Sequence, residues 1–159
     1  MRTVHWLFLV SAALFVSGIG FVVAAGRATP QALPVQALIT PAASVLQIMR
    51  GITGPAASVV FASVGTVFSY EGVRETLPRT EAEWEAVGDS AAALAESGNL
   101  LMLGGRAVDT EGWVAVSRAM VEAAQVALKA IEARDSQALL FSGEAINDSC
   151  DNCHQRYQR

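Results

Sequence analysis

Between residues 44 and 157, apolar side chains recur at the three-to-four-residue spacing that is typical of amphipathic helices. The pattern divides into four helical stretches, with little sign of strands. The first stretch covers about residues 44–69 and is expected to kink at Gly54-Pro55, because proline removes a helical hydrogen bond. The sequence therefore predicts an all-α domain.

Capping residues are expected at the starts of the other three helices. Thr80 precedes the second helix and Glu83 stands three residues later, which is the spacing of a capping box. Asp109 or Thr110 is expected to cap the third helix, and Asp135 the fourth. The fourth helix is expected to direct one stripe of side chains inward: Ile146, Cys150, Cys153, His154 and Tyr157.

The N-terminus has a different pattern. Residues 7–25 contain no charged side chain, one arginine precedes them, and Val23-Ala24-Ala25 resembles a small-residue cleavage site. This combination predicts a signal peptide over residues 1–25. The apolar run is also close to the length that spans a bilayer, so a retained signal anchor that tethers the chain to a membrane stays open.

Residues 26–42 are rich in alanine and proline, which predicts an extended linker. Residues 43–159 are then enough for one domain with a single core. The formal net charge of the chain is −4. Such a mildly acidic balance gives no reason to expect nucleic acid as a partner.

The chain ends in a motif with a specific chemistry, Cys150-Asp151-Asn152-Cys153-His154. Two cysteines at this spacing, followed at once by histidine, are typical of the covalent attachment of a c-type haem. The thiols would bond to the two vinyl groups of the porphyrin, and His154 would be the proximal iron ligand. The motif predicts one haem c, and the predicted export signal agrees, because bacteria attach haem outside the cytoplasmic membrane.

Other uses of the two cysteines fit the sequence less well. A disulfide between them would close a very small loop and constrain little of the unfolded chain. A thioredoxin-like pair belongs near a βαβ pattern, and none is visible. A zinc site needs four ligands, but beyond the motif only His5 remains, inside the export segment.

Short connections between four helices favour an up-down-up-down four-helix bundle. In that topology the end of the fourth helix lies beside the start of the first, the end of the second and the start of the third. Three methionines stand near this end, and each offers the iron a thioether sulfur: Met49, Met102 and Met120. Each could instead fill space in a helical core.

This arrangement resembles the class II c-type cytochromes, the cytochrome c′ family, over about residues 44–157. The matching features besides the C-terminal motif are Ile48-Met49 with Pro55 six positions after Met49, Glu83-Trp84, Asn99-Leu100-Leu101, Gly105-Arg106 and Trp113. In the low-spin branch of this family a methionine near the start of the first helix is the distal iron ligand, and Met49 corresponds to it. Phe61 departs from the pattern, because the low-spin relatives often carry tryptophan there.

The resemblance implies a periplasmic carrier of single electrons, either soluble after signal cleavage or anchored to the inner membrane. It is expected not to be an enzyme, because an iron held by His154 and Met49 has no free position for a substrate. Its partners would be periplasmic redox proteins, and dimers in the family leave a homodimer open. Two alternatives remain: a five-coordinate haem that binds NO or CO as a sensor or scavenger, and an exported helical interaction module without haem.

Arginines near the same end are candidates for contact with the haem propionates. The planar guanidinium group matches the geometry of a carboxylate, and Arg50 and Arg106 are the two positions concerned. The other interpretation of each is a solvated surface charge. Without a spare histidine or cysteine, the sequence offers no arrangement of a nucleophile with its base.

Overall fold

The computed structural model describes residues 2–27 and 40–158, with side chains for residues 4–16 and 40–158. The chain divides into two compact units, Met1–Leu38 and Ile39–Arg159. The first unit contains helix α1, Arg2–Arg27, whose described side chains are all exposed. Most of the predicted linker, residues 28–39, lies outside the described residues. The signal or anchor role of α1 stays a prediction.

The second unit is predominantly helical, as the sequence pattern predicts. Its elements in chain order are α2 (Val45–Ile48), a π-helical turn (Met49–Thr53), α3 (Gly54–Ser63), β1 (Gly65–Ser69), β2 (Gly72–Thr76), α4 (Glu81–Met102), α5 (Gly112–Glu132) and α6 (Ser136–Tyr157). The first three of these follow one another without a break as the helical segment Val45–Ser63.

The antiparallel hairpin of β1 and β2 was not predicted, and it corrects the prediction that the first helix runs to residue 69. Helix α3 ends at Ser63, and Val64 adopts an extended conformation. The residues that follow in β1 are largely β-branched or aromatic, which favours a strand over a helix. Gly72 closes the turn at φ 127°, a conformation that other residues rarely adopt.

The interruption at Gly54-Pro55 takes the form of a π turn. The N–H of Gly54 donates to the carbonyl of Met49, five residues back, and Pro55 lies in the first turn of α3. A Cβ at Gly54 would lie only 3.0 Å from the Met49 carbonyl oxygen, so glycine permits the close approach. The predicted irregularity is thus present, and it places Met49 at the start of the widened turn.

The predicted caps are confirmed at two helices and displaced at the third. Thr80 and Glu83 form the reciprocal capping box of α4, and the Asp135 side chain accepts two N–H groups at the start of α6. At α5 the cap position is Glu111, not Asp109 or Thr110. Asp109 nevertheless accepts the N–H of Trp113 at 2.8 Å, because its side chain reaches past the cap position to the first turn.

The core lies where α4 packs against α5 and α5 packs against α6, and α3 contacts both α4 and α6. Its largest fully enclosed apolar side chains are Leu94, Leu101, Leu139, Ile146 and Val60. Helices α4 and α5 approach each other closely, since a Cβ added to Gly98 would lie 2.5 Å from Cγ2 of Val121.

The turn after α5 closes the end of the core far from the C-terminal motif. Arg134 has a positive φ of 55°, which is uncommon outside glycine. Its guanidinium donates to the Glu81 carboxylate and lies over the ring of Trp84, 5.6 Å from the ring centre. The end of α5 is thereby tied to the start of α4.

Among the described helices, Val45–Ser63 is long and apolar enough to cross a membrane, judged by length and composition alone. The apolar stretch of α1 with described side chains, Val4–Val16, is shorter. Helix Val45–Ser63 supplies Ile48, Ala56 and Val60 to the core of the second unit. Core helices of soluble proteins pass the same test, so the finding does not make this helix a membrane span.

We expect Gly98→Ala to lower the free energy of unfolding by about 1–3 kcal/mol, because its methyl group would overlap Val121. Gly88→Ala in the same helix is the matched control, since its Cβ would meet only Cγ2 of Ile131 at an ordinary 3.5 Å. That control should raise stability by about 0.5–1 kcal/mol through the higher helix propensity of alanine. Urea denaturation followed by circular dichroism measures both, and equal effects would contradict the close packing.

Candidate haem site

The C-terminal motif lies on the last turns of α6. Cys150 and Cys153 are free thiols and both are half-buried, while the side chain of His154 is exposed. The inward stripe predicted for α6 is therefore wrong for His154, which stands at the solvent border of that face. Two uncombined thiols and an accessible imidazole, three and four residues apart on one helix, are the groups that covalent haem attachment uses. The residues present fit such a group.

The electrostatic environment of the thiols opposes their ionisation. Burial raises the pKa of Cys150, and the nearby Asp151 carboxylate adds to this, while a hydrogen bond with Ser149 opposes it. Burial also raises the pKa of Cys153, with Cys150 as a second cause. Redox-active and nucleophilic cysteines have lowered pKa values. The environment of this pair therefore does not favour a thioredoxin-like role.

Hydrogen bonds join the end of α6 to the start of α5. The hydroxyl of Tyr157 donates to Oδ2 of Asp109 at 2.6 Å. The other oxygen of the same carboxylate accepts the N–H of Trp113 at 2.8 Å. The rings of Trp113 and Tyr157 also meet edge to face, with their centres 5.1 Å apart. One carboxylate and one aromatic pair thus fasten the two helices together.

Two further side chains extend these connections to α4 and to the chain ahead of α2. Trp113 donates from Nε1 to the carbonyl of Leu101 at 2.8 Å. Arg106 donates from Nε to the carbonyl of Ala43 at 3.0 Å, and from Nη1 to that of Leu100 at 2.8 Å. The end of α6 therefore contacts the start of α5 directly, while Trp113 and Arg106 connect the start of α5 and the loop before it to the end of α4 and to the entry of α2.

The three candidate methionines occupy different surroundings. Met49 is half-buried in the π turn and packs against the main core cluster, as Cys150 and Tyr157 also do. Met102 is half-buried at the last position of α4. Met120 is only 5% exposed, and its Cε would lie 3.2 Å from a Cβ at Gly98. The packing of Met120 between α4 and α5 is that of a core residue.

The candidate arginines also differ. Arg50 is exposed, whereas Arg106 is half-buried and uses two of its nitrogen atoms to bind backbone carbonyls. Arg106 is therefore a connection between helix ends, a role that the sequence analysis missed. A contact of either arginine with haem propionates stays a prediction.

Asp109 is the second residue whose role at this site was not predicted from the sequence. It was considered only as a helix cap, but it also accepts the hydroxyl of Tyr157, which lies 48 residues away in sequence. No local pattern could have revealed a pair so far apart. Tyr157 was predicted only to face inward from the fourth helix, and the hydrogen bonds of Tyr157 and Trp113 were not predicted.

No group of three or more His, Cys, Asp and Glu side chains in the described part of the chain is arranged to hold a metal ion by itself. A c-type haem draws only one such ligand, His154, from that set, because the cysteines bond to the porphyrin. Comparison with protein-family models, curated proteins and solved structures gives no match to this chain. The resemblance to class II cytochromes therefore depends on the residues and motifs quoted above.

The pair of Tyr157 and Asp109 predicts a stability contribution that depends on pH. The hydrogen bond from Tyr157 is the main cause that lowers the pKa of Asp109, so this contribution is lost as pH falls through the lowered value. Burial and then the same hydrogen bond raise the pKa of Tyr157, so it is also lost as pH rises through the raised value.

We expect Tyr157→Phe to be less stable than the wild type near neutral pH and to approach it at both extremes of pH. Thermal unfolding measured across the pH range tests this. Tyr70→Phe is the matched control, because the Tyr70 side chain is 98% exposed in the hairpin turn. A stability difference that is constant with pH would contradict the assignment.

Proposed function

We propose that the chain is an exported c-type cytochrome that carries single electrons through one covalently bound haem. The observation that supports this proposal is the pair of free thiols with an exposed imidazole on the last turns of α6, from Cys150, Cys153 and His154. The hydrogen bond of Tyr157 to Asp109 ties that end to the start of α5. Trp113 in turn bonds to the end of α4, and Arg106, between α4 and α5, bonds to the chain that leads to Met49.

We also infer that the helical segment Val45–Ser63, α4, α5 and α6 form an up-down-up-down four-helix bundle. Contacts of α4 with α5, of α5 with α6, and of α3 with both α4 and α6 support it. Arg134 ties the end of α5 to the start of α4, and Trp113 ties the start of α5 to the end of α4. Helices α4 and α5 therefore run antiparallel. Such a bundle can hold a cofactor between facing helices.

Each residue of the motif has a separate task in this proposal. Cys150 and Cys153 would hold the porphyrin by thioether bonds, and His154 would bind the iron through a ring nitrogen. When bound, the haem supplies reversible one-electron chemistry at its iron. Rigid attachment through three residues of one helix keeps these groups in a constant arrangement.

Met49 is the distal ligand in this proposal. It is the first residue of the π turn, and such turns are frequent at functional sites because they shift side chains out of helical register. Its half-buried side chain packs against the same core as Cys150. A thioether ligand favours ferrous iron and raises the reduction potential. With His154 and Met49 as ligands, the haem would supply electron exchange and leave no position for a substrate.

The location and the partners of the protein follow from the same proposal. Residues 1–25 act either as a cleaved signal or as an anchor to the inner membrane, and the second unit works in the periplasm. Redox proteins there are its partners, and the exposed Arg50 and Arg156 lie at or near the electron-transfer end. An open groove of about 320 Å³ lies between Val45–Ser63 and α4, with Ile52 and Val59 partly exposed, and a homodimer through this face belongs to the same proposal.

Replacement of both cysteines, Cys150→Ala with Cys153→Ala, should abolish covalent haem. The test is a haem stain of a denaturing gel after expression with a cytochrome maturation system, since only covalently bound haem stays with the unfolded chain. Asn152→Ala is the matched control, because Asn152 lies between the cysteines, is exposed and is not part of the attachment pattern. A wild-type chain without a haem band would sink the proposal and favour a helical module without haem.

Replacement of Met49, the proposed distal ligand, should change the spin state of the haem iron. Met49→Leu preserves size and apolar character, so the fold should survive, but the sulfur is lost. We expect a change from sharp low-spin α and β bands to a broad high-spin spectrum that responds to carbon monoxide, with a lower reduction potential.

Met102→Leu removes the other half-buried thioether at this end of the domain and should leave the low-spin spectrum intact. If Met102→Leu alone converts the spectrum, the distal ligand is Met102. A wild type that is already high-spin would favour the five-coordinate binder of NO or CO.

A further inference from the structure

The haem-attachment residues lie where a helix is least secured by its own backbone. The last four carbonyl groups of a helix have no partner within it, and α6 ends at Tyr157. Cys153 and His154 lie within the last turn or so before that end. The N–H of Gln158 donates to the His154 carbonyl at the C-terminal end of α6, so contacts made outside α6 must hold the part of the helix beyond this bond.

Three residues supply these contacts: Tyr157, Asp109 and Trp113. The Tyr157 hydroxyl donates to Asp109 at 2.6 Å, Asp109 accepts the N–H of Trp113, and the two rings stack edge to face. The N–H of Trp113 Nε1 donates to Leu101, which continues the connection to α4. We call the set of Tyr157, Asp109 and Trp113 the C-terminal latch.

We propose that the C-terminal latch is a positioning cluster that fixes the last turns of α6 and with them the two thiols and the imidazole of the motif. Tyr157 stands four residues after Cys153 and three after His154, so it is their neighbour on the helix surface. Contacts that restrain Tyr157 also restrain Cys153 and His154, because less than one and a half turns of helix separate them. The role toward haem rests on the proposed function, whereas the hold on the thiols does not.

The start of α5 has a shape that admits the latch. A Cβ at Gly112 would lie 2.6 Å from the Tyr157 hydroxyl oxygen and 2.7 Å from Cζ of Arg156. Arg156 in turn lies over the Tyr157 ring, 5.3 Å from its centre. Glycine thus leaves space for the end of α6, and Gly112→Ala would displace these side chains without removing a latch residue.

The first test uses the haem-free full chain. Tyr157→Phe keeps the ring and removes only the hydroxyl, and we expect about tenfold faster hydrogen exchange at the end of α6 together with faster alkylation of Cys150 and Cys153. Gly112→Ala should shift both rates in the same direction. Tyr70→Phe, the change at the other tyrosine of the chain, should leave them at the wild-type values.

Unchanged rates in Tyr157→Phe would overturn the latch. Exchange that accelerates equally throughout the second unit would also overturn it, because that result indicates general destabilisation. Far-UV circular dichroism confirms that each variant is folded.

The second test uses the haem-loaded chain and distinguishes positioning from mere support. We expect Tyr157→Phe to give a mixed axial-ligand spectrum and a shifted reduction potential, and Tyr70→Phe to give neither. If thiol reactivity rises but spectrum and potential match the wild type, the latch is structural and its positioning role is wrong. A wild type without covalent haem overturns the proposed function, and the thiol and exchange rates then decide the latch alone.

Discussion

The carboxylate of Asp109 joins the end of α6 to the start of α5 by two hydrogen bonds. One oxygen accepts the phenol at the end of α6 and the other accepts a backbone N–H at the start of α5. Trp113 carries the connection on to α4. Because helix ends are the least stable parts of helices, an end that carries chemistry needs such a cross-connection. In the proposal of the C-terminal latch, the arrangement of Cys150, Cys153 and His154 depends on this connection.

The parts of the structure that sequence reasoning predicted correctly are those specified by residues close together in the chain. The capping box pairs Thr80 with Glu83, three positions later, and the Asp135 cap is equally local. The hairpin was missed because the apolar residues of β1 also suit helical spacing over so short a stretch. The bond between Tyr157 and Asp109 was missed because it spans 48 residues. The exposure of His154 was missed because the buried face of α6 is narrower than the predicted inward stripe.

The thiols on α6 and Met49 in the π turn are held in different ways. On the α6 side, burial raises the pKa values of both thiols. On the other side, Met49 belongs to a π turn whose irregularity is set by the glycine and the proline that follow. One side is thus defined by burial and the other by backbone geometry. A substitution at Gly54 or Pro55 would therefore affect Met49 without touching the thiols.

The hairpin between α3 and α4 introduces an asymmetry in how the helices are held. It makes the connection from Val45–Ser63 to α4 much longer than the three-residue link between α5 and α6. The entropic cost of closing a loop rises with its length, so the helix that carries Met49 docks at a higher cost than α6 does.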